Sequence, residues 1–569
     1  MAQYTVTVVD TTQIQPYVFG SNRLQENIGA SELVRLATGE WALQAVREVA
    51  PDFHNVVDAA AIKFEDKFKI EDISNPDTVK AAEVVYAGGG NVVVIFSQAD
   101  LAREFAGKLM RKVLDCAPGL SLVIAHDHEF VWEQSVDDDD SALATVITKL
   151  LGEKLAARKA ARLPSQPLLG LGVTAVCEAT GLVASRTNNE KDFTPTGNNK
   201  ANLKLGEEPT RLISNETACK LWARDLANAR LKRVFAAELS HWYKFPSDMD
   251  KLGRIKGEDS YVAVIHADGN GMGKRIQKIA DEFKTAEQNR EYINEMRKFS
   301  QGVNEASENA LRCVVKLLTD RITWQQGKEF VSEQIPMEGT YLPFRPLVHG
   351  GDDVTFVCNG LLGVSLAVEY LKAYEAQTQE ILDETLHASA GISIVKMHYP
   401  FARAYALSES LTSSAKAFIA EEKDRKVSAL DWHIAASGLS GSLDEIRRRE
   451  YLNHDGTRSL LMRPLLLHGD EAEGRVWING IERVTQAFQR DDNWADKRNK
   501  VKKLREVLRE GLTGKPLEKL LPAYGFPPLP QIIGGKYQGN GWEGNQCGYF
   551  DAIELSDYYV EVGETQEER

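Results

Sequence analysis

The chain has 569 residues, a formal net charge of −14 and a pI near 5.5, and this length predicts about three or four domains. The acidic balance argues against a protein whose main task is to grip long nucleic acid through its phosphates, but it leaves room for a local nucleotide pocket. No apolar run approaches the roughly 20 residues of a membrane span, and the N-terminus has no signal-peptide pattern. The 6 cysteines are scattered without a Cys-x-x-Cys pair. We therefore expect a cytoplasmic protein with no membrane segment, disulfide framework or zinc ribbon.

Residues 1–163 predict a domain built in the order β-α-β-β-α-β. Its first strand ends at Asp10, and Gly88 and Gly89 open the turn between its second and third strands. The predicted elements are strand 4–9, helices 13–19 and 32–49, strands 83–86 and 92–96, helix 99–114, strand 120–124 and helix 142–162. Because this order is the ferredoxin-like arrangement of polymerase-type palms, we predict a palm domain here.

The same order recurs over residues 258–440, after an irregular insert at 164–257. The insert has a polar loop at 186–209, which we expect to be mobile, and a helix at 215–239. The elements predicted for the second palm are strand 260–267, helix 297–321, a Gly-Gly hairpin, helix 362–382, strand 388–396, helix 401–421 and strand 428–434. Residues 441–569 predict a mainly helical domain, with helices at 443–451, 483–489 and 496–511. The predicted fold class is therefore α+β, with two ferredoxin-like palms, an insert and a C-terminal helical domain.

The two palms have the pattern of a duplication in which only the second copy keeps its carboxylates. Asp10 and Asp268 each end a first strand, and a Gly-Gly turn follows at a nearly equal distance in both copies. A long-period repeat of this kind is strong evidence of shared organisation. A Gly-Asn dipeptide in the first copy stands where the second has Asp352 and Asp353. We predict that the first copy binds divalent metal poorly and is a structural pseudo-copy.

The second hairpin carries two adjacent carboxylates, Asp352 and Asp353, after Gly350 and Gly351. Two like charges about 4 Å apart repel by about 4 kcal/mol at an effective dielectric constant of ~20. A divalent cation would cancel this repulsion, whereas a hairpin that needed only a turn would more simply use Asn-Gly. The alternative is an ordinary solvated acidic turn.

A glycine-rich loop follows Asp268 directly, and it predicts a phosphate cradle. Small residues let the backbone approach an anion, and their amides can point inward, although a plain flexible turn has the same composition. In a ferredoxin-like sheet the first strand lies beside the hairpin, so Asp268, Asp352 and Asp353 should converge. We predict that these three catalytic carboxylates bind two Mg²⁺ or Mn²⁺ ions, which activate a ribose hydroxyl and neutralise the departing pyrophosphate.

Cations and glycines around these carboxylates are the predicted nucleotide-binding groups. The predicted nucleotide-binding residues are Gly269, Asn270, Gly271, Met272, Gly273, Lys274, Gly350, Gly351 and Lys416. Lys416 is preferred over Lys396 and Arg403 because it follows a run of small residues that would suit close approach to a phosphate. Each of the three could instead be a solvated surface charge.

Three other patterns resemble functional sites, and for each we favour an ordinary structural role. His126 and Asp127 look like a phosphohydrolase pair, but that chemistry needs further ligands in a helical domain, and this pair ends a predicted strand. The acidic run at 137–140 is more simply a solvated loop before a helix. Cys177 and Cys219 are too isolated to make a zinc site.

Taken together, the palm motifs resemble those of the CRISPR polymerase family, the large subunits of type III CRISPR effector complexes and their stand-alone relatives. The segments that carry the resemblance are residues 9–15, 27–31, 88–91, 267–274, 349–353, 390–392 and 398–400. The resemblance covers roughly residues 1–440. The chain departs from many members in two ways, since it starts directly in the first palm without an HD nuclease domain and lacks a four-cysteine module between the palms.

The resemblance implies an enzyme that converts ATP into a cyclic or linear oligoadenylate messenger in antiviral defence, with two nucleotides bound between the palms. It also implies candidate partners, namely an RNA or phage-derived trigger, CRISPR subunits, or a second copy of the chain. The two departures favour a stand-alone synthase. The alternatives are a non-catalytic large subunit of a CRISPR ribonucleoprotein and a GTP-using cyclic dinucleotide synthase.

Overall fold

The computed structural model describes residues 3–133, 142–161, 172–206, 208–254, 260–325, 327–421, 426–435, 441–469, 475–511, 519, 521–532, 537 and 541–563. The acidic run at 137–140 and the predicted domain limits at 163–164, 257–258 and 440 lie outside these residues, so the limits stay predictions. Among the described helices, none is both long and apolar enough to cross a membrane.

The chain divides into two compact units, each made of several segments. Unit 1 comprises Met1–Ala236, Gly271–Glu308 and Leu347–Asp352. Unit 2 comprises Ala237–Asn270, Asn309–Pro346 and Asp353–Arg569. The glycine turn of the second hairpin therefore groups with unit 1, whereas the strand that begins at Asp353 groups with unit 2.

The first palm is a five-stranded sheet with the order β2-β5-β6-β1-β7. Its elements are β1 (Gln3–Thr12), α1 (Ile14–Phe19), α2 (Leu24–Thr38), α3 (Glu40–Val49), β2 (Phe53–His54), β3 (Val56–Asp58), β4 (Lys63–Phe64), β5 (Ala81–Gly88), β6 (Asn91–Phe96), α4 (Ala99–Cys116), β7 (Ser121–Val131), α5 (Leu143–Lys149) and α6 (Ala156–Ala161). Strand β1 pairs antiparallel with both β6 and β7. This is the predicted ferredoxin-like arrangement.

Two local predictions in the first palm are wrong. The single helix predicted at 32–49 is two helices that meet at Gly39, whose backbone (φ −122°, ψ −97°) is not helical. The side chain of Ile62 comes within 2.4 Å of the place where a Cβ would stand, so the position requires glycine. Strand β7 runs past its predicted end to Val131, so His126 and Asp127 lie within the strand. There Thr7 Oγ1 lies 2.9 Å from His126 Nδ1, which gives that histidine a structural partner.

The insert has a long helix, which holds its polar loop. It contains β8 (Arg186–Thr187), β9 (Leu212–Ile213) and α7 (Asn215–Val234). From α7, Arg224 donates hydrogen bonds to the carbonyl oxygens of Asn202 and Leu203 at 2.8 and 3.3 Å. The polar loop therefore has its backbone tied to a helix.

The second palm is a six-stranded sheet with the order β14-β15-β10-β16-β17-β18. Its elements are β10 (Tyr261–Gly269), α8 (Met272–Glu282), α9 (Asn289–Asp320), β11 (Thr323–Gln325), β12 (Lys328–Ser332), β13 (Ile335–Pro336), β14 (Phe344–Gly350), β15 (Asp353–Asn359), α10 (Gly363–Leu382), β16 (Ala388–Lys396), α11 (Phe401–Glu421), β17 (Ala429–Ala435) and β18 (Leu465–Leu466). Strands β16 and β17 are parallel, and β10 pairs antiparallel with β15 and β16. With this second palm, the predicted fold class is confirmed.

The C-terminal region is mainly helical, as predicted. Its elements are α12 (Leu443–Glu450), α13 (Glu482–Arg490), α14 (Arg498–Arg509), β19 (Trp542–Glu543), β20 (Gln546–Cys547) and α15 (Phe550–Leu555). The three predicted helices are present, with ends that differ by no more than two residues. Strand β18 joins this region to the palm sheet, because Leu465 and Leu466 pair with Leu430 and Ala429 of β17.

A buried ion-pair cluster within unit 1 holds the start of α9 on strand β5. Glu83 on β5 is fully buried and accepts hydrogen bonds from Arg290 at 2.6 and 2.9 Å and from Arg297 at 2.7 Å. Both arginines lie on α9. The carboxylate of Glu83 is therefore the common partner of two guanidinium groups in a place that excludes water.

We expect Glu83→Gln to lower the free energy of unfolding by about 3–5 kcal/mol, because removing one partner leaves buried charge uncompensated. Urea denaturation followed by circular dichroism measures this change. The matched control is Glu104→Gln. The side chain of Glu104 is 49% exposed and makes a loose ion pair with Lys108 at 3.8 Å, so this substitution should cost less than about 1 kcal/mol. Equal midpoints for the two variants would show that the cluster does not stabilise unit 1.

Candidate active site

Asp268 and Asp353 stand side by side at one end of the second palm sheet. The antiparallel register places Ala267 of β10 opposite Val354 of β15. One position further toward this end of the sheet, Asp268 therefore stands opposite Asp353. The side chains are 35% and 48% exposed, so both can be reached from solvent. The equivalent position in the first palm pairs Asp10 with Asn91.

Lys416 reaches this edge from helix α11. Its Nζ donates to Asp268 Oδ2 at 2.5 Å and to the carbonyl oxygen of Gly269 at 2.9 Å. One turn earlier, Thr412 Oγ1 donates to the carbonyl oxygen of His266 at 2.8 Å, which fixes the helix on the strand. The predicted phosphate cation therefore lies beside a predicted catalytic carboxylate.

The other two candidate cations do not reach the site. Strand β16 pairs Ser389 with Asp268 but Lys396 with Tyr261, at the opposite end of β10. Arg403 lies in the first turn of α11, more than three helical turns before Lys416.

His266 is a buried neighbour of Asp353 that sequence reasoning missed. Its Nδ1 lies 3.3 Å from Asp353 Oδ1 and 3.3 Å from Thr355 Oγ1. Burial acts to lower the pKa of His266, but the contact with Asp353 and the nearby charge of Asp268 raise it above its usual value. The strand period could have indicated this residue, since His266 is two positions before Asp268 and shares its face of the sheet.

Asn270 is fixed on three sides, which sets the backbone path of the loop after Asp268. Its backbone N–H donates to the carbonyl oxygen of His387 at 2.8 Å, and its side chain accepts from Ser389 at 2.8 Å. Its Nδ2 donates to the carbonyl oxygen of Val427 at 3.4 Å. The loop is therefore held by His387 and Ser389 at the start of β16 and by Val427 before β17.

Glu375 on α10 in turn orders those supporting residues. Its Oε1 lies 2.8 Å from His387 Nδ1 and accepts from the backbone N–H of Ser428 at 3.2 Å. Its Oε2 lies 2.9 Å from Nε2 of His468 in the C-terminal region. Burial acts to raise the pKa of Glu375, but His387, Ser428 and His468 lower it to about 2.

Because the folded pKa of Glu375 is depressed, its ionised form adds stability above the unfolded pKa, and this is lost as pH falls through about 2. We expect Glu375→Gln to reduce the free energy of unfolding by on the order of 2 kcal/mol at pH 7. The deficit should shrink as pH falls below about 4. Urea denaturation across this range checks it, with exposed Glu380→Gln on the same helix as the control. A deficit independent of pH would contradict the assignment.

In unit 1, the remaining predicted glycines lie at a helix start and at a turn. Gly271 (φ 69°) caps α8, so Met272, Gly273 and Lys274 are in the first turn of a helix rather than in a loop. The N–H groups of that turn are unpaired within the helix, the usual place for an anion. Sequence reasoning missed this helix because the glycines at its start resemble a turn.

The two glycine turns meet within unit 1. A Cβ added to Gly351 (φ 70°) would lie 3.9 Å from the Cα of Gly89, and a Cβ added to Gly89 would lie 4.0 Å from the carbonyl oxygen of Gly350. The backbone N–H of Gly351 donates to Oδ1 of Asn304 at 3.2 Å, a contact that the sequence did not reveal. Asp352 follows in the same turn, and its part in catalysis stays a prediction.

Within the described residues, no group of three or more His, Cys, Asp or Glu side chains is placed to hold a metal ion. Asp268 and Asp353 alone still suit magnesium, which is commonly bound by one or two carboxylates and completed by water and substrate phosphates. Asp353 Oδ1 is buried and lies 3.3 Å from His266 Nδ1, so the fit of a metal ion rests on the chemistry of the two carboxylates. In the first palm, Asp10 is likewise ion-paired with a lysine, Lys159, but it stands opposite Asn91 and not a second carboxylate.

The fold and this pair of carboxylates define a polymerase-type palm. Residues 261–426 match the family model described as Cas10/Cmr2, second palm domain, which confirms the resemblance to CRISPR polymerases. No curated protein matches the chain.

Solved structures that share the fold include three of a Csm1-Csm4 cassette, in complex with cA4, pppApA and AMPPNP. Each is 13% identical to this chain and covers 98% of it. The matches cover 69%, 70% and 69% of those chains, with TM-scores of 0.51, 0.52 and 0.50. At this identity, the likeness shows a common fold.

Proposed function

We propose that the chain is a nucleotidyltransferase that converts ATP into a cyclic oligoadenylate messenger and releases pyrophosphate, in CRISPR-type or stand-alone antiviral defence. The observation that carries the proposal is the placement of Asp268 beside Asp353, with Lys416 in contact with Asp268. The family match of this palm and the nucleotide-bound structures that share its fold support the choice of substrate.

In the proposed reaction, a ribose hydroxyl oxygen bonds to the α-phosphorus of a second ATP. The bond from that phosphorus to the leaving pyrophosphate breaks, and the hydroxyl proton is released. Two bound Mg²⁺ or Mn²⁺ ions would supply hydroxyl activation and charge neutralisation, with Asp268, Asp353 and the predicted third ligand Asp352 as protein ligands. Lys416 would exchange its contact with Asp268 for a phosphate oxygen, and His266 would hold the Asp353 carboxylate in place.

The glycines have a second proposed role as the surface on which triphosphate lies. Gly269 and Asn270 leave strand β10 beside Asp268, and Asn270 is held rigidly by three hydrogen bonds. The helix start at Gly271–Lys274 would offer its backbone N–H groups to a phosphate. The N–H of Gly351 already donates to Asn304, so the glycine turn would contribute close approach of the backbone and not that donor.

For partners, we propose a subunit of the Csm4 kind, since the similar Csm1 structures contain that subunit, with RNA as the trigger. The non-catalytic and GTP-using alternatives predict different products. Purified protein incubated separately with ATP, GTP, CTP and UTP, with Mg²⁺ or Mn²⁺, should release pyrophosphate only from ATP and yield a cyclic adenylate by mass spectrometry. No product from any nucleotide, with and without RNA and a Csm4-type subunit, would overturn the proposal.

A further inference from the structure

A pocket in unit 2, separate from the palm site, is lined by four arginines. It is a cavity of about 310 Å³ between α12 and the segments around β18 and β20. Its lining residues are Arg447, Arg448, Tyr451, Leu452, Ser459, Leu461, Arg463, Arg475 and Gln546. No carboxylate is among them, so the walls present only cationic, neutral polar and apolar groups.

Two of these arginines are already paired with carboxylates behind the wall. Arg447 donates to both oxygens of Asp431 at 2.6 and 2.7 Å, and Arg463 lies 3.1 Å from Glu554 and 3.6 Å from Asp551. Even so, the Nε groups of both arginines are buried and donate to no described residue. Each guanidinium therefore keeps a buried donor that its carboxylate partner does not use.

The other two arginines have no carboxylate contact among the described residues. Arg475 donates only to the carbonyl oxygens of Met462 and Pro464, and Arg448 donates to that of Asp444. Burial lowers the pKa of Arg475, in spite of the more distant Asp551 and Asp431. The positive charge of this wall is thus only partly compensated by the protein.

A buried histidine next to the pocket shows the same excess of positive charge. His433 is 1% exposed, its ring centroid lies 5.8 Å from that of Tyr451, and neither ring nitrogen has a described hydrogen-bond partner. Burial and the charges of Arg463 and Arg447 lower its pKa to about 3. The imidazole is therefore neutral, and it adds no charge of its own to the site.

We propose that this pocket binds a small phosphate-bearing anion. A phosphate group would accept hydrogen bonds from the exposed guanidinium of Arg448 and would supply the missing negative charge, as in other arginine-lined phosphate sites. Arg447 also donates to Ser414 on α11 at 3.1 Å, two residues before Lys416. An anion that draws Arg447 toward the pocket would act on the same helix that delivers Lys416 to the palm.

Isothermal titration calorimetry of the full chain with inorganic phosphate, at constant ionic strength, tests the proposal. Arg448→Glu should weaken binding by about tenfold or more, because it removes a charged donor and adds a repelling carboxylate. Arg449→Glu is the matched control, since this neighbour on the same helix end does not line the pocket, and it should bind like the parent. Gln546→Glu places a carboxylate on the opposite wall and should weaken binding similarly if Arg448→Glu fails to fold.

Adenosine monophosphate identifies the source of the phosphate. It is titrated into the parent and into Arg448→Glu without divalent metal, so that the difference between the two reports the arginine pocket and not the palm. Binding that Arg448→Glu weakens indicates a nucleotide ligand, whereas binding of inorganic phosphate alone indicates the free ion. No binding of either, or equal binding by the parent and both wall variants, would overturn the proposal. Because no turnover is measured, this outcome is independent of the proposed palm reaction.

Discussion

Replacing either Asp268 or Asp353 with asparagine should reduce ATP turnover by about 10³-fold or more. Each change removes a charge that the proposed reaction uses to bind metal and phosphate, and losing several kcal/mol of transition-state stabilisation has an effect of this size. Pyrophosphate release measured at saturating ATP gives the change in kcat. Circular dichroism should show an unchanged fold, because both side chains are partly exposed.

The first palm provides the matched control for this experiment. Asp10→Asn alters the aspartate that holds the corresponding strand position, opposite Asn91 rather than a carboxylate. We expect its turnover to stay within a few-fold of the parent. A loss as large as that of Asp268→Asn would contradict the assignment of chemistry to the second palm. Asp352→Asn, measured alongside, tests whether the third predicted carboxylate takes part.

The main site could be predicted because its parts are local in sequence or follow from strand register. Asp268 ends an apolar strand, and Asp353 begins the strand that must pair with it in a ferredoxin-like sheet. Lys416 could be predicted as a phosphate-binding cation because small residues precede it. The strand period also indicates His266, two positions before Asp268. By contrast, Asn304 and Glu375 act through contacts with residues distant in sequence, and no spacing rule reports such contacts.

Local structure was hardest to predict where tertiary packing decides it. Gly39 divides one apparently continuous helix through its non-helical backbone, beside the packed side chain of Ile62. The start of α8 has glycines that intrinsic propensity disfavours. The arginine pocket was likewise hidden, since its walls come from α12, the segments around β18 and β20, and the residue Arg475. Sequence patterns indicate the C-terminal helices, but not that arginines from distant segments line one pocket.

Gly391→Ala should impair stability and activity together, because one methyl group would displace helix α11. A Cβ at this position of β16 would lie 2.0 Å from the carbonyl oxygen of Ser408 and 2.4 Å from the backbone nitrogen of Thr412. Both are backbone atoms of α11, so the whole helix must shift rather than a side chain. We expect a loss of about 1–3 kcal/mol in the free energy of unfolding, the usual cost of overpacking.

The displacement of α11 should also disturb the candidate active site, through Thr412 and Lys416. Moving α11 weakens the hydrogen bond from Thr412 to His266 and draws Lys416 away from Asp268. We therefore expect a lower melting temperature and a raised KM for ATP in one variant. The control is Gly107→Ala in α4, where nothing lies within 4 Å of the added Cβ, and where alanine should be neutral or stabilising by up to about 1 kcal/mol. Should Gly391→Ala match the parent in both measurements, close packing of α11 on β16 would not be what positions Lys416.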